Sequence, residues 1–204
     1  MFIMDKEEEY KKEEYNDFVR KLNSCVICAG KYGFMPKPVI WGSPNAKIVQ
    51  ISQAPSRRVY ETGKPFNDLS GKRLREWYGI DEGTFYNTKL FYMTAMAHCY
   101  PGKNAVGKDL DPPRICAKKW LYAELTLLNN KIYIIIGRIA AGFLFPNKPF
   151  RRLIIDIQTL NGKPAFVLPH PSPQNIKWFK DHPEFYDICL PRIRRFIKDI
   201  NEGT

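Results

Sequence analysis

The stretch Lys131-Ile132-Tyr133-Ile134-Ile135-Ile136-Gly137 constrains this chain more than any other. Its apolar, mostly β-branched residues follow one another without alternation, so a strand here leaves no face for water and must be covered on both sides. The run is far too short to span a bilayer. Two shorter β-rich runs precede it, at residues 47–51 and 89–94, and a fourth follows at 165–168. Between and after them lie segments of helical apolar spacing, at 69–78, 113–128, 138–144 and 183–200. In the second of these Ile115, Trp120, Leu121, Leu125 and Leu128 recur at helical intervals behind a Pro-led start. Strand–helix alternation of this kind predicts an α/β chain: a three-layer α/β/α sandwich around a central, mainly parallel, four-stranded sheet.

The rest of the chain fits one domain over residues 1–204. Tyr15, Phe18, Val19 and Leu22 predict an amphipathic N-terminal helix over 1–23, and residues 24–204 form the body. A loop rich in Pro and Gly spans 31–45. The N-terminus is acidic where a secretory signal would be basic and then apolar, which implies a cytoplasmic monomer with no membrane partner.

Charge narrows the partner. The 204 residues hold 32 Lys and Arg against 21 acids, for a net of +11. Residues 1–16 contain six acids and three bases, so the remainder carries +14. A basic body behind an acidic leader suits a polyanion, with nucleic acid ahead of a membrane surface. A merely solvated basic face is the plainer alternative.

Five cysteines in a compartment where disulfides are rare suggest metal ligation. Cys25 and Cys28 form a CxxC pair, and sixteen residues separate Cys99 from Cys116. Four thiolates suit an iron–sulfur cluster or zinc. Cys189, inside the last helix, reads as a buried free thiol.

Parallel sheets bind ligands beyond the carboxyl ends of their strands. The unusual sequence falls there: Ser52-Gln53-Ala54-Pro55-Ser56 after the first strand, Ala95-Met96-Ala97-His98-Cys99 after the second, and Pro169-His170-Pro171-Ser172-Pro173 after the last.

In order and content these loops resemble the uracil-DNA glycosylase superfamily, closest to its iron–sulfur family 4 branch. Ser52-Gln53-Ala54-Pro55-Ser56 stands where that branch has Gly-Glu-Ala-Pro-Gly. Gly63-Lys64-Pro65-Phe66 matches its Gly-x-Pro-Phe, and His170-Pro171-Ser172-Pro173 is the superfamily's second motif. The resemblance spans about residues 25–180 and implies a DNA glycosylase that hydrolyses the N-glycosidic bond of a flipped, deaminated base, uracil first, in single- or double-stranded DNA. It further implies base contacts from Gln53, Ala54, Phe66, Ala95 and His170, with Phe66 stacking on the base. Gln53 and His170 would be catalytic, polarising the base or placing water. Ser56, Ser70, Ser172, Gln174 and Asn175 would contact DNA, and Cys25, Cys28, Cys99 and Cys116 would hold a [4Fe–4S] cluster, preferred to zinc. Arg57, Arg58, Lys72 and Arg73 would attract the polyanion from a distance, and Lys103, Lys108 and Arg114 in the 100–115 loop would meet phosphates.

Two positions depart from the branch. Gln53 replaces its Glu, and Ala95 replaces the Asn that reads the uracil edge. Thr94, His98 or Asn67 could supply that edge contact instead, and Asp68 is either an alternative carboxylate or a helix cap. The departures also leave room for a second function: a DNA-binding iron–sulfur protein on a glycosylase scaffold, without hydrolase activity.

Overall fold

A computed structural model describes residues 2–32 and 35–203, so two residues of the loop expected at 31–45 lie outside the described ones. The elements run α1 (Phe2–Asn23), α2 (Ala29–Tyr32), β1 (Ile48–Ser52), α3 (Arg57–Thr62), α4 (Leu69–Tyr78), α5 (Glu82–Phe85) and β2 (Phe91–Ala95). After a long loop come α6 (Arg114–Cys116), α7 (Tyr122–Thr126), β3 (Ile132–Ile136), α8 (Arg138–Leu144) and α9 (Phe150–Ile155). The chain closes with β4 (Gln158–Leu160), β5 (Lys163–Leu168), α10 (Ile176–Asp181) and α11 (Leu190–Glu202). The helix expected at 113–128 is α6 and α7 joined through a π-helical turn, Ala117–Leu121, and a second π turn, Phe185–Cys189, leads into α11.

The sheet has five strands in the order β2-β1-β3-β5-β4, not four. β1, β2, β3 and β5 are parallel, whereas β4 pairs antiparallel with β5, Thr159 opposite Pro164. The extra strand follows from Asn161-Gly162. Both residues take positive φ, 48° and 73°, the requirement of a two-residue hairpin turn whose twist matches its strands. That dipeptide was a sequence signal for a hairpin, and β4 is short enough to escape a search for apolar runs.

β3 is buried along its whole length, as its composition demands, and its neighbours β1 and β5 are buried from Ile48 to Ile51 and from Ala165 to Leu168. A second, smaller cluster of Phe18, Leu22 and Trp120 ties α1 to the α6–α7 rod, with Cys25 and Cys116 against it. Each such side chain is worth about 1.5–3 kcal/mol when fully buried, enough to seat a long helix that otherwise faces water. Cys189 is buried and donates to the Ile154 carbonyl at 3.3 Å. No described helix is long and apolar enough to cross a membrane.

Candidate active site

The chain leaves β1 for β2 on one side and returns to β3 on the other, and beside this switch point the carboxyl ends of β1, β2 and β5 enclose a cavity of about 230 Å³. Gln53, Ala54, Phe66, Ala95 and His170 all line it, as do Ser56, Ser70 and Ser172. Backbone hydrogen bonds lock the first two loops together: Met96 donates to the Ser52 carbonyl and Ala97 to that of Gln53, at 3.0 and 3.1 Å. Ser56 caps α3 by accepting from the Val59 amide, and Ser172 caps the following turn by accepting from Gln174. Both hydroxyl protons stay available to donate outward.

Phe66 carries strain. Its φ of 53° lies in the left-handed region, rare for a bulky residue and found where surroundings over-determine the backbone. Those surroundings are visible. The Pro65 carbonyl accepts from the Tyr86 hydroxyl at 2.8 Å, and the Phe66 ring meets Phe85 edge-on. The Phe66 carbonyl sits so close to α4 that a Cβ on Gly71 would stand 1.7 Å from it. Asp68 follows as the N-cap of α4, one oxygen accepting from the Gly71 amide at 3.0 Å, and its carboxylate lines the cavity.

His170 has a defined protonation. The Ser172 amide donates to Nδ1 at 3.2 Å, which leaves the ring proton on Nε2. Burial pushes its pKa below the ordinary value, and the charge of Asp68 opposes that only in part. The ring is therefore a neutral donor. Its loop is braced by Arg73, which donates to the Pro171 carbonyl at 2.9 Å, and by Asn175, whose amide donates to the His170 carbonyl at 2.7 Å. Arg73 and Asn175 thus serve the loop itself, and Gln174 is exposed beside it. Of the distant basic residues, Arg57 is engaged by Glu61, while Lys72 is exposed.

Ala95 contributes only a methyl group to the cavity. Thr94 lines it too, but its hydroxyl donates to Glu124 at 2.7 Å. Asn67 donates its side-chain N–H to Thr62, and its buried Oδ1 has no partner among the described residues, yet the residue is not part of the cavity wall. His98 is fully buried on the far side, its Nε2 3.0 Å from Glu124 and its Nδ1 3.7 Å from the Cys116 sulfur. Burial disfavours the His98 imidazolium, yet Glu124 and Cys116 outweigh it and hold the pKa up to about 10. Glu124, with no exposure, also accepts from Tyr92 at 2.7 Å.

Cys25, Cys28, Cys99 and Cys116 line a second, small cavity walled by Leu22, Pro36, Ala97, Pro113 and Trp120. Among the described residues no three His, Cys, Asp or Glu side chains converge on a single ion. Burial pushes the Cys99 thiol up to about 12, and Cys116, Cys25 and Cys28 push the same way. Four thiols so gathered resist ionising together unless a cation offsets the charge, and their spread around a cavity suits a multi-atom group better than a point ion bound at about 2.3 Å.

Val39, Val59, Asp109 and Leu110 also line the cavity without a sequence signal pointing to them. The last two lie within the loop between Cys99 and Cys116, which has no periodicity of its own and reaches the cavity through Pro101, Asp109 and Leu110.

An aromatic ring, a neutral imidazole donor and an acidic residue thus line one cavity at the carboxyl edge of a parallel sheet. A family model described as the Uracil DNA glycosylase superfamily matches residues 39–194. The chain belongs to that superfamily, a class of DNA glycosylases, and its partner is DNA. The match begins after Cys25 and Cys28 and includes Cys99 and Cys116.

Proposed function

We propose that this protein removes a deaminated base from DNA by hydrolysing its N-glycosidic bond, with uracil the first candidate. One observation carries the reading: Gln53, Phe66, Asp68 and His170, from three separate loops, line the same cavity. A base inside a duplex is out of reach, so it must be extruded into such a slot. Phe66 offers a stacking surface for it. As the C1′–N bond breaks, its electron pair goes to the base, whose oxygen becomes anionic. The His170 Nε2–H donates to that oxygen, already oriented and costing no reorganisation. The free oxygen of Asp68 accepts a proton from the water that adds to C1′, and its charge favours the oxocarbenium-like sugar. Gln53, its own carbonyl tied to Ala97, positions the base or that water through its amide. The released base takes its proton from solvent. The hydroxyls of Ser56, Ser70 and Ser172 at the cavity fit sugar–phosphate contacts.

The test is a panel of oligonucleotides carrying uracil, hypoxanthine or xanthine, single- and double-stranded. Alkali-labile abasic sites are expected from at least one, and intact strands throughout would refute the reading. The methyl group that Ala95 presents, where the resemblance implies an amide, favours the competing reading, a DNA-binding protein without hydrolase activity. That reading predicts salt-sensitive binding and no base release.

We further propose that Cys25, Cys28, Cys99 and Cys116 hold a [4Fe–4S] cluster. Support comes from their common cavity, its apolar wall and the unfavourable charge of four ungrouped thiolates. When bound, the cluster would cross-link the segment after α1, the loop after β2 and the end of α6, and would neutralise the thiolates. Anaerobically purified protein should contain iron and acid-labile sulfide in equal amounts. Stoichiometric zinc would overturn the cluster.

A further inference from the structure

Extruding a base leaves a gap in the duplex that closes again unless something fills it, and the apolar side chains that do so in DNA-bending proteins protrude from rigid elements. The loop after the His170 motif offers Pro173 and Gln174 at its surface. Ile176, 50% exposed, follows them at the start of α10, but a second element carries a more exposed apolar tip. Val106 is 85% exposed, the most exposed large hydrophobic side chain among the described residues. It does not sit on a slack loop. Lys103 and Asp109 pair as an antiparallel bridge, Leu110 donates to the Gly102 carbonyl, and Asn104 donates to the Lys108 carbonyl at 2.8 Å. The Asn104 side chain then accepts from the amides of both Val106 and Lys108, at 3.1 and 2.9 Å. Gly107, at φ 78°, makes the turn.

The result is a braced hairpin whose base is part of the cavity. Pro101, Asp109 and Leu110 line the wall, and Val106 stands in the turn that closes the hairpin above them. Lys103 and Lys108 are exposed on either side of the tip. An apolar tip between two cations, fixed to the mouth of a base-sized cavity, is complementary to a stacked polyanion.

We propose that the hairpin from Lys103 to Asp109 is a duplex-reading finger: Val106 enters the base stack where the target base has left it, and Lys103 and Lys108 hold phosphates on either side. The inference rests on the base-release reading above. Because it concerns the duplex and not the chemistry, single-stranded substrate separates the two.

The experiment compares V106A and the double variant K103Q/K108Q with the unaltered full chain on uracil-containing single and double strands. The same proteins are titrated on a duplex with 2-aminopurine beside the lesion. V106A alters an exposed side chain that braces nothing, so the fold is unaffected. It should lose about tenfold in base release from duplex while losing less than twofold from single strand, and the 2-aminopurine signal should fall. K103Q/K108Q should flatten the slope of log K against log salt by about 1.8, near 0.9 for each phosphate released. Equal losses for V106A on both substrates, or none on either, overturn the wedge, and an unchanged salt slope overturns the phosphate grip. If the unaltered protein releases no base at all, the glycosylase reading fails. The fluorescence and salt slope still decide the finger, and their lack of change would refute it independently.

Discussion

Replacing Phe66 with Gly separates what the ring does for stability from what it does for the base. At φ 53° a non-glycine residue bears about 1–2 kcal/mol of left-handed strain, which Gly relieves. Against that stand the edge-on contact with Phe85, centroids 6.4 Å apart at 88°, worth about 0.5–1.5 kcal/mol, and about 1 kcal/mol for a half-buried ring. Added chain entropy costs about 0.5–1 kcal/mol more. The net is a loss of only about 1–1.5 kcal/mol, or a few degrees in melting temperature for a chain of this size. Base–aromatic stacking, by contrast, is worth about 1–3 kcal/mol per base, so base release at limiting substrate should fall about 5- to 150-fold. The assay pairs urea unfolding with base release from a single-stranded uracil oligonucleotide, and Phe66→Tyr serves as the control that keeps a stacking ring. A Phe66→Gly protein with less than a twofold loss of activity would refute the stacking role. A stability loss above about 3 kcal/mol would refute the claim that the residue is strained.

Other consequences follow from the same geometry. Because burial depresses the His170 pKa, the folded ring stays neutral below the ordinary histidine range while the unfolded ring gains a proton. Stability should decline as pH falls from the unfolded value toward the folded one, and base release should hold through that window. An NMR titration of the ring with a midpoint above the ordinary value would overturn this. Asp68→Asn keeps the cap on Gly71 but removes the charge that favours the imidazolium, so the His170 midpoint should move further down and base release should fall at least tenfold; unchanged values would remove Asp68 from the mechanism. Glu124→Leu strands the donors on Tyr92, Thr94 and His98, an expected cost of about 3–5 kcal/mol in urea unfolding at matched metal content, and a cost below about 1 kcal/mol would mean the network is not what holds these groups. Gly71→Ala should destabilise although Ala is the better helix former by about 1 kcal/mol, because its Cβ collides with the Phe66 carbonyl. A stabilised variant in thermal melts would contradict the close approach.

The parallel core was legible because β3 and its neighbours are apolar without alternation, a pattern that only two-sided burial rewards. β4 was not, since its three residues carry little apolar signal and only the Asn161-Gly162 turn betrays it. In the candidate site, the loops at the strand ends were readable from topology, and the resemblance singled out Gln53, Ala95 and His170 at or just beyond those ends. Phe66 and Asp68 depend on something less visible, the passage of residues 63–68 over the start of α4 that Gly71 permits. Asp109 and Leu110 could not be read, because their position comes from pairing with Lys103 and Gly102 inside an aperiodic loop. The partners of His98 were equally hidden. Nothing near it in sequence announces Glu124, 26 residues away.

The two cavities are coupled through β2 and the loop that continues it. Thr94 and Ala95 end the strand in the base cavity, and Ala97 and Cys99, a few residues on, line the cavity of the cysteines. Cys116 accepts from the His98 amide at 3.5 Å, His98 faces Glu124, and Glu124 receives the Thr94 hydroxyl. Ala97, between them, fixes the Gln53 carbonyl. A group held by the four sulfurs, as proposed, would therefore act on the strand end from which the first cavity is built. The polar side chain missing at residue 95 does not loosen that floor, because the nearby hydrogen bonds are satisfied on the cysteine side. An apolar residue at position 95 and retention of the fold are compatible for this reason: Ala95 lines the cavity, whereas the side-chain hydrogen bonds that hold β2 in place run to Glu124.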